Sequence, residues 1–216
     1  MTELVVKGVI AYLLGSIIGS LLLARLTGGV DIRTLGSGNA GATNALRTQG
    51  KGVALTVLAI DIAKGWVATG LLAPAVLPFI GVAAPELHSW CVTVCGLAVM
   101  LGHVYPIWYD FRGGKGVATL IGVVLGISAW LFVPMILTWL VAVILFGYVG
   151  LASMLAAVAL AIAILFGGYP RPLHNFGILA ALLIIYTHRG NISRMRAGTE
   201  ARARRLWLLG ARRGQA

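Results

Sequence analysis

The sequence predicts an all-α integral membrane protein, and three observations carry that prediction. Hydrophobic residues make up 59% of the 216 and charged residues only 11%, a balance foreign to water-soluble domains. The 55 residues 116–170 contain no Asp, Glu, Lys or Arg, far more than one spanning helix of about 20 residues requires. The basic residues behind the net charge of +11 gather in connections and at the C-terminus, which fits an anionic leaflet or an anionic substrate and speaks against nucleic acid.

The first apolar run, residues 4–23, follows Met1, Thr2 and Glu3 with no basic region and no small-residue cleavage site, so it reads as a retained span. Residues 53–72, 89–107 and a shorter 172–187 give three more. Cys91 and Cys95, four apart in the third run, read as core packing rather than a metal pair. Arg25, Arg33, Arg47 and Lys51 flank the first connection, Arg112 and Lys115 occupy the third, and eight arginines follow His188, so all three are expected to face the cytoplasm. The connection 73–88 has no Lys or Arg and carries Glu86, which puts it outside. With Lys115 and the tail on one side, residues 116–170 must supply three short spans, with breaks expected at Pro134, Gly147 to Gly150, and Gly167, Gly168 and Pro170. Seven spans result, with the N-terminus outside and the C-terminus cytoplasmic; a count of six, with two long tilted helices over residues 116–170, would leave the arginine tail on the wrong side. No internal repeat or linker divides the chain, which reads as one domain over residues 1–216 with a basic cytoplasmic tail at 197–216.

Three polar stretches interrupt the apolar pattern. The first connection holds Ser37, Gly38, Asn39, Ala40, Gly41, Ala42, Thr43, Asn44 and then Arg47. Glycines let backbone amides turn toward one point, the polar side chains add neutral hydrogen bonds, and Arg47 adds a forked cation, a set suited to phosphate. Gly36, Gly38 and Gly41 also match a dinucleotide fingerprint, but that motif needs a preceding strand and a parallel sheet, and this one lies between apolar helices. The second stretch runs from Gly102 and His103 to Arg112, Gly113, Gly114, Lys115 and Gly116, with Lys115 at an expected helix start, another phosphate-favouring position. It is no Walker loop, since Tyr109 and Gly116 stand where Gly and Ser or Thr belong. The third is His188, Asn191 and Arg194, which share a helix face if the helix continues. The charge rule puts all three on the cytoplasmic side, where one interfacial pocket is expected to hold Ser37, Arg47, Lys115, His188 and Asn191 beside an apolar bundle that takes an acyl chain.

With these motifs in this order, the sequence resembles the bacterial acyl-phosphate:glycerol-3-phosphate acyltransferase family over nearly its whole length. The resemblance implies seven spans, a site facing the cytoplasm at the inner membrane, and an acyl phosphate donor rather than an acyl thioester. It implies His188, Asn191 and Ser37 as catalytic residues. It implies Ser37, Gly38, Asn39, Gly41, Thr43, Asn44, Arg47, Gly114, Lys115, Gly116 and Arg194 as binding residues for glycerol 3-phosphate and acyl phosphate. Gly190 departs from the polar or acidic residue of many relatives. Asp61 and Lys64, three apart in the second span, read as a structural ion pair.

The expected reaction is attack of the primary hydroxyl of glycerol 3-phosphate on the acyl carbonyl, releasing phosphate. His188 is then either the general base or a phosphate ligand. The His-and-Asp pair of soluble-type glycerolipid acyltransferases, five residues apart, is absent: the positions after the four histidines are Thr93, Trp108, Leu179 and Ser193. Direct transfer is preferred to an acyl-enzyme on Ser37, because no histidine adjoins it in sequence. No metal and no organic cofactor is expected, membrane lipid is the expected surrounding partner, and the oligomeric state stays open. The competing class is a transporter or flippase for a phosphorylated lipid or small anion; the lack of an inverted repeat speaks against it. The tail's Leu206, Trp207, Leu208 and Leu209 between arginines read as an interfacial anchor whose loss lowers insertion or stability.

Overall fold

The computed structural model describes residues 1–77, 87–203 and 206–207. Glu86 of the connection expected outside, and Arg204, Arg205, Leu208, Leu209, Arg212 and Arg213 of the tail, lie outside the described residues. Every regular element among those described is helical. The chain groups into two compact units, Met1–Ala129 and Trp130–Ala216.

In the first unit, α1 (Thr2–Gly15) and α2 (Gly19–Thr27) meet at a 52° bend, so the first apolar run is a broken helix. The bend has a local cause. The Ser16 hydroxyl donates back to the Tyr12 carbonyl at 3.0 Å, while the Gly15 and Ile17 carbonyls leave the helical ladder and accept from Lys64 Nζ at 2.9 and 2.7 Å. After α3 (Ala42–Thr48), α4 (Lys51–Trp66) widens into a π-turn at Val67–Leu72. Then come α5 (His88–Val104) and α6 (Val117–Ile127). α1 packs on α5 and α4 on α6. The second crossing is close because Gly65 and Gly122 put no side chain in it: a Cβ on Gly122 would strike the Ile62 carbonyl oxygen and one on Gly65 that of Thr119. Near the start of α1, Lys7 is buried, paired with Glu3 at 2.6 Å and donating to the Ala73 carbonyl at 2.6 Å. Cys91 and Cys95 are free thiols in the core, as their spacing indicated.

The second unit holds α7 (Ala129–Phe146), α8 (Val149–Phe166), α9 (Arg171–Thr187) and α10 (Arg189–Arg196). α8 and α9 pack together with Leu160, Ile164, Phe176, Ala180 and Ile184 buried. The break expected at Pro134 is absent: α7 runs through the proline, and the chain turns earlier, at extended Ser128. Pro134 stands little more than one turn into its helix, where a missing N–H and a crowded i−4 carbonyl disturb few ladder bonds. The turns at Gly147 and Gly168 fall where expected, both glycines with positive φ.

Helices 51–72 and 88–109, of 22 residues each, and α7 and α8, of 18 each, are long and apolar enough to cross a membrane, and the bent α1 and α2 pair makes a fifth. α6, at 11 residues, and α9, at 17, are shorter.

Candidate functional site

The first unit brings the first two polar stretches together. Asp31 opens the long loop by capping the 3₁₀ turn Ile32–Thr34, its Oδ1 accepting from the Arg33 amide at 2.9 Å. The same carboxylate takes Arg33 Nη2 at 2.7 Å and Nε at 3.0 Å, while Arg33 Nη1 donates to the carbonyls of Tyr109 and Arg112 at 3.0 and 3.2 Å. Arg33, read from the sequence only as a topology signal, is therefore the clasp between the two loops. The hydrogen bonds of Arg33 lead the causes that hold the Asp31 carboxyl below its ordinary 3.8, and the Arg33 guanidinium is correspondingly raised. A small apolar core of Ile18, Ile32, Ala40, Ala45 and Val57, with Tyr109 packed against it, anchors the loop to the helices.

Asn44, buried at 2% exposure, organises the rest. Its Nδ2 donates to the carbonyls of Ile32, Leu35 and Asn39 at 3.2, 2.9 and 3.1 Å, and its Oδ1 accepts the Ser37 amide at 3.0 Å. Gly36 turns with φ of 56° directly against this amide, where any side chain would be both strained and in collision. Gly38 turns with a φ of 70°, and Gly41 caps the start of α3. The outcome is a wound loop in which Ser37, Thr43 and Arg47 are exposed, Asn39 is partly buried, and Asn44 is turned inward.

The second stretch folds back on the end of α5. Gly113 and Gly114 amides donate to the carbonyls of Val104 and His103, each at 3.1 Å, and Gly116 caps α6 in the left-handed region at φ of 87°. Lys115 is thus held partly buried between two constrained glycines at the head of a helix, a place that favours an anion. Beneath it the structure assembles a cluster that the sequence disclosed only in part. Lys64 Nζ lies 3.0 Å from Asp61 Oδ1, as the ion-pair reading expected, and also 2.8 Å from His103 Nδ1. His103 is separated from Lys64 by 39 residues, and only the packing of α4 near α5 brings it in.

The second unit presents the third stretch. His188 closes α9 and opens α10, and its buried Nδ1 lies 2.7 Å from the Ile184 carbonyl. A carbonyl only accepts, so Nδ1 carries the proton and Nε2 is the basic nitrogen of the neutral ring. Asn191 is buried one turn on, its amide packed against Gly150. Glu200, which the sequence reading did not single out, accepts from Asn191 Nδ2 and Arg194 Nε, each at 2.6 Å. The tail then runs back along this unit: the Ala203 amide donates to the Gly147 carbonyl at 2.8 Å and Trp207 Nε1 to that of Leu145 at 3.2 Å. Arg202 stacks on Trp207 and Tyr148, with its guanidinium 3.9 and 4.7 Å from the ring centres. The start of the tail thus holds two candidate site residues through the Glu200 carboxylate. Among the described residues no group of His, Cys, Asp and Glu is arranged to hold a metal ion.

A family model described as glycerol-3-phosphate acyltransferase matches residues 5–198. The chain is 42% identical to a glycerol-3-phosphate acyltransferase of Mesorhizobium japonicum, over 92% of this chain and 95% of the relative. It is 41% identical to that of Aquifex aeolicus, over 90% and 96%. The crystal structure of PlsY, an integral membrane glycerol 3-phosphate acyltransferase, superposes in its glycerol 3-phosphate form with a TM-score of 0.81 at 40% identity, covering 92% of this chain and 94% of that one. A lysophosphatidic acid form of the same protein superposes with a TM-score of 0.79 at 39% identity. On these matches the chain belongs to the glycerol-3-phosphate acyltransferase family.

Proposed function

We propose that this protein transfers a fatty acyl group from acyl phosphate to the sn-1 hydroxyl of glycerol 3-phosphate, giving 1-acylglycerol 3-phosphate and inorganic phosphate. The observation that carries the proposal is the pair of phosphate-suited loops, one with Ser37 and Arg47 exposed, the other with Lys115 between constrained glycines, clasped together by Arg33. Family membership supports it, as do relatives solved in glycerol 3-phosphate and lysophosphatidic acid forms. The transporter alternative draws no support from either.

In the proposed reaction the substrate hydroxyl oxygen bonds to the acyl carbon, the carbon–oxygen bond to phosphate breaks, and the departing phosphate keeps the electron pair. Acyl phosphate is a mixed anhydride and already activated, so positioning and charge stabilisation are the protein's main work. Arg47, Lys115 and the loop amides neutralise phosphate oxygens, with Ser37, Gly38, Asn39, Gly41 and Thr43 lining the first loop. Asn44 serves by holding that loop in shape. His188, its tautomer set by Ile184, takes the hydroxyl proton on Nε2, with Asn191 and Arg194 beside it on α10. Transfer is direct, with no acyl-enzyme.

We further propose seven spans, formed by the α1 and α2 pair and by α4 to α9, in a bacterial inner membrane. The N-terminus is outside and all three motifs face the cytoplasm. The arginine distribution supports this, and short spans are no obstacle where a helix lies within a bundle.

The test is turnover by the purified protein supplied with palmitoyl phosphate and glycerol 3-phosphate. Wild type releases phosphate in step with 1-acylglycerol 3-phosphate, and His188→Ala lowers kcat by about 10²- to 10⁴-fold. Folded wild type that turns over neither substrate refutes the proposal. A trapped acyl group on Ser37 refutes direct transfer.

A further inference from the structure

We propose that Asp61, Lys64 and His103 act as positioning residues that set the shape of both phosphate loops, an inference that deepens the acyltransferase reading and rests on it. The three side chains are almost wholly buried, at 1%, 4% and 2% exposure. Their stability value alone does not account for them: the desolvation of a buried ion pair consumes most of its attraction, and an apolar trio of equal volume commonly serves as well. Their geometry does account for them.

Lys64 is surrounded by four acceptors, Gly15 O, Ile17 O, His103 Nδ1 and Asp61 Oδ1, between 2.7 and 3.0 Å. An ammonium has three protons, so all are engaged, and donation to Nδ1 puts the His103 ring proton on Nε2. The Gly15 and Ile17 carbonyls are those released at the bend between α1 and α2, and the first amide of α2, Gly19, lies 3.4 Å from Asp61 Oδ1. One residue on, the Ser20 hydroxyl donates to the Ala40 carbonyl at 2.7 Å, within the Ser37-to-Asn44 loop. The cluster thus sets the bend that aims α2, and α2 holds the first loop.

On its other side the cluster meets the second loop directly. The His103 ring lies so close to the Gly114 Cα that a Cβ there would strike Nε2, Cε1 and Cδ2, and the Gly114 amide donates to the His103 carbonyl. Gly114 is the residue before Lys115. A shift of the imidazole is therefore passed through rigid backbone to the lysine, and misplacement of a binding group by an ångström is costly in a reaction that runs on positioning.

A space-exchange experiment tests this. Gly114→Ala forces the ring and the loop apart and is expected to raise KM for glycerol 3-phosphate or acyl phosphate by about tenfold or more, with kcat less affected. His103→Asn keeps a polar atom near the place of Nδ1 and removes Nε2 and Cε1, clearing room for the new methyl. The double variant His103→Asn with Gly114→Ala is expected to recover most of the lost affinity relative to Gly114→Ala, a coupling that a purely structural role does not produce. The same three proteins and wild type are compared by the rise in melting temperature that inorganic phosphate induces: present in wild type, lost in Gly114→Ala and regained in the double variant. If the double variant is no better than Gly114→Ala in either readout, or if the variants lower the melting temperature with KM and the phosphate response unchanged, the positioning role is overturned. If wild type responds to phosphate in this pattern yet turns over no acyl phosphate, the positioning role stands and the acyltransferase reading falls.

Discussion

Asn44 shows how one buried amide shapes a loop that no regular ladder supports. Three carbonyls and one amide depend on it, and its carboxamide supplies the donor and the acceptor side by side on one planar group. Asn44→Ala orphans these groups at about 1–3 kcal/mol each if they stay buried, so the loop is expected to rearrange instead and kcat/KM to fall by about tenfold or more. Asn44→Asp keeps the acceptor for Ser37 but loses the donors and is expected to fail nearly as badly; steady-state kinetics of both variants check this. Asp31 gives a different signature. Its folded pKa is depressed below 3.8, chiefly by hydrogen bonds from Arg33, so its contribution is complete above that value and is lost as pH falls through the lower folded value. Asp31→Asn is therefore expected to lower the melting temperature by a small amount that is constant between about pH 5 and 9 and disappears in acid, where wild type loses the same contribution. Because the pair is partly solvent-exposed, its total effect is small.

Among the elements, α4 and α6 illustrate packing where the apolar surroundings offer no hydrophobic drive between helices. Close approach has to supply the attraction, which is why Gly65 and Gly122 stand at the crossing and the Thr69 hydroxyl reaches the Val123 carbonyl at 2.9 Å. Gly122→Ala places a methyl against the Ile62 carbonyl and is expected to destabilise by about 1–3 kcal/mol, read as a lower melting temperature in detergent. Since Lys115's neighbour Gly116 caps α6, some of that displacement is expected to appear as a raised KM. In the second unit, the junction of α9 and α10 keeps His188 and Asn191 buried three residues apart, and Glu200 secures Asn191 and Arg194 from the tail. Glu200→Gln keeps an acceptor for Asn191 but loses the charge facing Arg194, and is expected to lower activity more than truncation after Trp207 does. Equal loss in both would return the tail to a role in anchoring alone.

For the molecule as a whole, the proposed topology makes a sidedness prediction. In a chain carrying Cys91→Ala and Cys95→Ala, single cysteines at the exposed positions Thr34, Val76 and Arg196 report on access. A membrane-impermeant thiol reagent added outside is expected to label the variant at Val76 at once, and those at Thr34 and Arg196 only after the membrane is opened. Labelling of Thr34 and Val76 from the same side would refute the seven-span arrangement.

Composition and charge placement determined, without coordinates, that the chain is helical and apolar, because a bilayer demands internally bonded backbone and leaves that demand visible as long uncharged runs. They also located the polar stretches that carry the family motifs, because polar residues among such runs stand out. Turn sites followed from glycine at 147 and 168, but not from Pro134, since a proline near a helix start is tolerated and its cost depends on where the helix begins. Only the tertiary structure decided what each polar group does. It turned Asn44 inward, made Arg33 a clasp, joined His103 to Asp61 and Lys64, and set Glu200 on Asn191 and Arg194. Such partners are chosen by distance in space, and a hydrogen bond between residues 39 or 76 positions apart leaves no periodicity in the sequence to find.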